Sequence, residues 1–320
     1  MKKKFFSIVS FTLFYSVILF GGEAYHGANF IKNRVGARSI ALGISYVGFI
    51  DGPYSLFYNP AGLLNYDSII SFGGGYDEYQ NIESSGVLSL ISEDFGIAFG
   101  FLYKNYDDIF KYDSSGTRVS PIKNDNILGV FGFAASLTDF SSLGLNFKFG
   151  YRTIDDIKYM VLASNFGLMA NVLFFQISFG IDNIGVNYEN DYKTYNFVNP
   201  DFYLGISYID TNQENEKVFG VGFGIKRGVD LPNEETRIGF GSFIRLFSAA
   251  PELIAVLEKK DKVTVPNSFY LNIGIEKYHG INFSVGFSLI LWGFQTDYAL
   301  TFPTEDKKEF SHYVTLLFKF

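Results

Sequence analysis

The chain has no cysteine and one tryptophan in 320 residues. Without a thiol it has no disulfide framework, no thiolate metal site, no cysteine nucleophile and no N-terminal lipid-anchor cysteine. Histidine is scarce, at 3 residues, and a hydrolase needs a base beside its nucleophile. His26 lies near the N-terminus, His279 in a turn-like stretch, and His312 next to Ser311. Neighbours along a strand point to opposite faces, so Ser311 and His312 make a poor catalytic pair. Residues 220–228 are glycine-rich but lack the G-x-G-x-x-G spacing of a nucleotide loop. Asp107, Asp108 and Asp113 read as a solvated acidic loop. The expectation is therefore no enzyme, no cofactor and no metal site. Basic residues are also outnumbered, 26 against 33 acidic, for a net charge of −7. With no basic stripe to neutralise phosphates, nucleic acid is excluded as a partner.

Clean transmembrane helices are missing too. Residues 161–181 and 278–296 carry no formal charge and are about long enough to span a bilayer. The first, however, contains Ser164, Asn165, Asn171, Gln176 and Ser178, polar groups that need partners in hydrocarbon. It reads better as a hairpin with Asn171 near its turn.

What the chain has in excess is aromatic residues and glycine: 37 Phe, 22 Tyr and 33 Gly. The strongest signal is alternation with period 2, which a helix has no reason to produce. From Leu143 to Arg152 one face carries Leu143, Leu145, Phe147, Phe149 and Tyr151, and the other Gly144, Asn146, Lys148, Gly150 and Arg152. The pattern recurs at Phe219, Val221, Phe223 and Ile225 against Gly220, Gly222, Gly224 and Lys226, and at Ile238, Phe240, Ile244 and Leu246 against Arg237, Gly239, Gly241 and Arg245. One face suits lipid and the other a polar, hydrated interior, as in a transmembrane barrel. Such segments number roughly fourteen to sixteen, each near the ~9 to 11 residues that cross a bilayer at a tilt. The expected fold is all-β: an outer-membrane β-barrel of about fourteen antiparallel strands.

Lys2, Lys3 and Lys4, an apolar run over residues 5–20, and small residues at Gly22 and Ala24 read as a signal peptide over residues 1–24. Residues 25–65 then form an N-terminal hatch segment, with residues 40–49 open to reading as a first strand, and residues 66–320 form the barrel. Residues 105–125, 185–200 and 301–309 are polar and read as surface loops, with tight turns at the other end. Residues 252–258 read as a weak strand, and residues 312–320 as a last strand ending on Phe320.

The hatch segment carries Gly36-Ala37-Arg38, then Asp51-Gly52, then Tyr58-Asn59-Pro60-Ala61-Gly62-Leu63. Its small residues suit close backbone packing, and Asn59, Pro60 and Gly62 are turn chemistry. This motif resembles the N-terminal signature of the PorV/PorQ group of outer-membrane proteins, relatives of the FadL-type long-chain fatty-acid transporters. Residues 283–287 and 295–298 and the closing Phe318-Lys319-Phe320 are similar to that group's last strands. The resemblance implies a fourteen-stranded barrel with an internal hatch and a route for a hydrophobic solute. For the PorV branch it implies instead an accessory role in protein secretion. The expected partners are outer-membrane lipid and either a hydrophobic small molecule or a secretion or surface protein. Site candidates are Gly36, Arg38, Asp51, Asn59, Pro60 and Gly62 in the hatch. The inward cations Lys148, Arg152, Lys226, Arg237 and Arg245 are the others, set either to attract an anion or to pair with carboxylates such as Glu276.

Overall fold

A computed structural model describes residues 26–76, 81–106, 110–112, 115, 117–191, 193–212, 217–228, 236–249, 267–277, 280–303 and 310–319. The predicted signal peptide, residues 252–258 and His279 lie outside them.

The alternating segments pair into β1 (Ile69–Tyr76), β2 (Ile82–Ile91), β3 (Phe95–Asn105), β4 (Phe110–Tyr112), β5 (Arg118–Pro121), β6 (Asn124–Thr138), β7 (Ser141–Ile154), β8 (Ile157–Val172), β9 (Phe175–Glu189), β10 (Thr194–Val198), β11 (Asp201–Thr211), β12 (Lys217–Gly228), β13 (Arg237–Ala249), β14 (Asn267–Lys277), β15 (Ile281–Leu291), β16 (Phe294–Pro303) and β17 (Ser311–Lys319). Fourteen of these form one closed antiparallel wall. β17 pairs back onto β1, with Ile69 opposite Lys319 and Tyr76 opposite His312. β4 and β5 make a separate small hairpin inside what reads from sequence as a plain loop. Residues 185–200 are likewise no simple loop. Gly185 to Glu189 continue β9, and β10 pairs with them.

Outward positions are apolar all round the wall. Phe99, Phe147, Leu162, Phe240 and Ile275 are all exposed. A continuous apolar face of this extent is not compatible with water, and is what a barrel presents to hydrocarbon. No helix among the described residues is long and apolar enough to cross a membrane; the apolar outer surface belongs to the strands. At the end holding the start of β1 and the end of β17, called the lower end here, tight turns at Leu173 (φ 57°) and Trp292 (φ 50°) close two hairpins with the positive φ that two-residue hairpin turns require. Connector length does not alternate strictly. Residues 250–266 join β13 to β14 at this same lower end, and the upper turn after Ile154 holds only two residues.

Residues 26–65 run down the lumen from the upper end. They contain a 3-10 turn at His26–Lys32, short helices at Ala37–Leu42, Tyr46–Phe49 and Ser55–Tyr58, and 3-10 turns at Gly43–Ser45 and Pro60–Asn65. Residues 40–49 are therefore helical and not a first strand. They are buried on every side, so no half-exposed face favours an extended chain, and Gly36 (φ 91°) and Gly43 (φ 61°) break the path into short turns.

The interior is not the uniformly polar lumen expected. On the β2 to β8 side, Val87, Ala98, Leu102, Leu128, Val130, Ala134, Val161 and Ala163 face inward. They form one apolar core with Phe30, Ile31, Val35, Leu56, Phe57 and Leu63 of the internal segment. A filled lumen excludes water, so inward positions there gain by being apolar. On the opposite side smaller apolar clusters, such as Phe49 with Phe243 and Tyr270, alternate with contact of backbone on backbone. A β-carbon at Gly205 would lie 2.5 Å from Gly48 N and from Val47 C and O.

Candidate functional site

Among the described residues, two groups of polar side chains lie between the wall and the internal segment. The upper one lies where the wall loses its regular ladder. The β8–β9 register slips between Ser164 and Phe166, Asn183 takes φ 61°, and Asn199–Pro200 interrupt the strand run formed by β10 and β11. Asparagine side chains replace the missing ladder bonds, because each buried N–H must find an acceptor. Asn165 N–H donates to Asn146 Oδ1 (3.0 Å) and Asn183 N–H to Asn165 Oδ1 (2.9 Å). Lys148 Nζ, buried, donates to Asn183 Oδ1 at 2.8 Å. Beside it Lys226 pairs with Asp182 (2.6 Å) and Asp201 (3.2 Å), and Lys32 of the internal segment reaches Asp201 at 2.9 Å. Nearby, Arg34 pairs with Glu276, whose second oxygen accepts from Ile44 N–H at 3.0 Å.

The lower one is a cavity of about 500 Å3 between the segment and β12 and β14 to β17. Arg38 makes a two-pronged bond to Asp51, Nε to Oδ1 at 3.1 Å and Nη2 to Oδ2 at 2.9 Å. Its guanidinium faces the rings of Phe243 and Tyr270 at 5.1 and 5.9 Å. Lys217 of β12 adds a second cation to Asp51 at 3.0 Å. Burial alone would push the Asp51 carboxyl up, but Arg38 and then Lys217 outweigh it and hold it below the usual carboxylate range. On β16, Gln295 Nε2 donates to Asp297 Oδ1 (2.8 Å), and Tyr66 donates to Gln295 Oε1 (2.8 Å).

The hatch motif residues hold the segment in shape. Gly36 stands against the Tyr54 ring, which a β-carbon would approach to 2.6 Å, and Gly62 stands against Ile50. Asn59 caps the turn that Pro60 opens: its Oδ1 accepts from Ala61 N–H at 3.0 Å, and its Nδ2 donates to Leu168 O of β8 at 3.2 Å. The five inward cations do not form one patch. Lys148 and Lys226 share the upper cluster, and Arg237 is the cross-strand partner of Lys226. Arg152 is half-buried and donates to Asn124 Oδ1 at 3.3 Å. Arg245 stands opposite Tyr270, at the other end of β13. Glu276 pairs with Arg34 of the internal segment. Lys32, Arg34, Asp182, Asp201, Lys217 and Asp297 escaped sequence reasoning. The acids among them carried a signal, since each is a charged residue within an apolar strand. Among the described residues no group of histidines and acids is arranged to hold a metal, and His312 bonds Tyr298 at 2.7 Å through Nδ1.

No protein-family model and no curated protein matches the chain. Solved structures do. A monoaromatic hydrocarbon channel, CymD, superposes with TM-score 0.62 at 11% identity, over 89% of this chain and 97% of that one. The Pseudomonas putida toluene transporter TodX gives 0.57 at 10% identity, over 93% and 98%. A Pseudomonas aeruginosa FadL homologue gives 0.56 at 9%, over 88% and 97%. The chain therefore has the fold of the FadL-like barrels.

Proposed function

We propose that the protein is an outer-membrane channel that passes a hydrophobic or small amphipathic solute, with residues 26–65 acting as its hatch. The observation that carries this is a closed, lipid-compatible wall whose lumen is filled by the chain's own N-terminal segment. That segment is held by ion pairs at Lys32, Arg34 and Asp51 on the side away from the apolar core. These pairs tie the segment to β11, β14 and β12, so opening on that side requires them to break. The likeness to channels for monoaromatic hydrocarbons and toluene supports a hydrophobic solute. Uptake into liposomes by refolded protein tests this, comparing a long-chain fatty acid with a small sugar. Fatty-acid uptake without sugar uptake is expected.

A second reading draws on the same filled lumen. The apolar core seals half the barrel, and the motif around Asn59 resembles the PorV/PorQ group, in which accessory barrels serve protein secretion. Folded protein that moves neither solute, and recovers a secretion component in stoichiometric amount, supports that role instead.

A further inference from the structure

The lower cavity holds three carboxylates and three cations, but they are not equally matched. Asp51 has Arg38 and Lys217, and Asp67 has Lys319 at 3.2 Å. Asp297, only 3% exposed, has no ion pair within 4 Å among the described residues. Its neighbours are uncharged: Gln295, Ser288 opposite it on β15 and Thr315 opposite it on β17. Arg38 is near enough for its charge to act on Asp297, yet its hydrogen bonds go to Asp51 and its face to Phe243 and Tyr270. Its hydrogen bonds come from the Gln295 amide and the Ser288 hydroxyl, both neutral, and a buried carboxylate so held is costly unless a cation arrives or a proton is taken up. Around it the cavity is walled by Tyr46, Tyr54, Tyr66 and Tyr270 with Leu64 and Ile290. Aromatic rings beside an unmatched carboxylate are the usual means of holding an organic ammonium ion, and about 500 Å3 lies in the range of small-molecule sites.

We propose that this cavity is a binding site for a small organic cation, an ammonium group carrying an apolar or aromatic substituent, with Asp297 as its counter-ion. The site does not depend on transport, because binding is read on protein in detergent with no flux. The test is calorimetric titration of the full chain with benzylammonium, benzyl alcohol and benzoate, three ligands of one shape and three charges. Benzylammonium is expected to bind at least tenfold more tightly than the other two, and Asp297→Asn to remove that preference. Lys217→Met, which takes a positive charge from the cavity rim, is expected to tighten benzylammonium several-fold, and so tests the same idea should the Asp297 variant fail to fold. Equal affinity for the three ligands, a preference for benzoate, or no response to either substitution overturns the proposal.

Discussion

Gly205 on β11 faces the helical turn Tyr46–Phe49 with no room for a side chain, so the substitution Gly205→Ala probes how firmly the internal segment is seated. The added methyl would lie 2.5 Å from three backbone atoms of Val47 and Gly48, whereas ordinary carbon contacts begin near 3.5 Å. The segment or the strand must give by about 1 Å. It cannot do so locally, since a β-carbon on Gly48 would itself stand 2.9 Å from Ile206 O. Overpacking of this kind costs ~1 to 3 kcal/mol, roughly a 5- to 150-fold fall in the folding equilibrium at tenfold per 1.4 kcal/mol. The matched control is Gly129→Ala on β6, where the nearest atom is Phe149 O at 3.9 Å and the change should stay within ~0.5 kcal/mol. Equilibrium urea unfolding in detergent, followed by the fluorescence of the single tryptophan, Trp292, reads both variants. Equal stability of the two would refute a closely seated segment.

Three further outcomes follow from the charged groups inside the wall. Lys226→Met takes from buried Asp182 and Asp201 a cation that both share, leaving Asp201 its pair with Lys32, and should cost ~3 to 5 kcal/mol in the same unfolding assay. Arg152→Met, which loses one bond from a half-buried side chain, should cost ~1 kcal/mol or less. Asp51 gives a pH dependence. Its carboxyl is held low in the folded state, so its contribution is complete above the unfolded value of 3.8 and is lost as pH falls through the lower folded value. Acid titration of stability should show a loss beginning near pH 4 that Asp51→Asn flattens; an unchanged acid limb in that variant would contradict the assignment.

The wall was legible because its signal is local. Phe147 and Phe149 against Asn146 and Lys148 announce a two-faced strand without knowledge of any partner, and the same holds at Phe223 and Phe240. The lumen was not legible, because alternation tells which residues share a face but not what fills the space they face. Leu102, Leu128 and Val161 point inward and are apolar only because Phe30, Leu56 and Leu63 meet them. The segment at residues 40–49 alternates weakly and is rich in branched residues, so it suits a strand; enclosure on all sides removes the water face that a two-sided strand needs. The site was half legible. The turn chemistry of Asn59, Pro60 and Gly62 can be read directly, and each has a structural task in the segment. The pairing of Arg34 with Glu276 spans 242 residues, and no local pattern records a contact of that separation. The asparagine chain from Asn146 through Asn165 to Asn183 is also hidden, since each residue looks ordinary on its own strand.

The gating role of the internal segment is open to direct test with a covalent lock. A β-carbon on Gly43 would stand 3.6 Å from that of Glu276 on β14, a spacing a disulfide spans, so Gly43→Cys with Glu276→Cys places two thiols in bonding range. The chain has no other cysteine. Fatty-acid uptake into liposomes should be absent with the disulfide formed and restored on reduction. Equal uptake in the oxidised and reduced states would show that the solute passes without movement of the segment, and would contradict its role as a hatch.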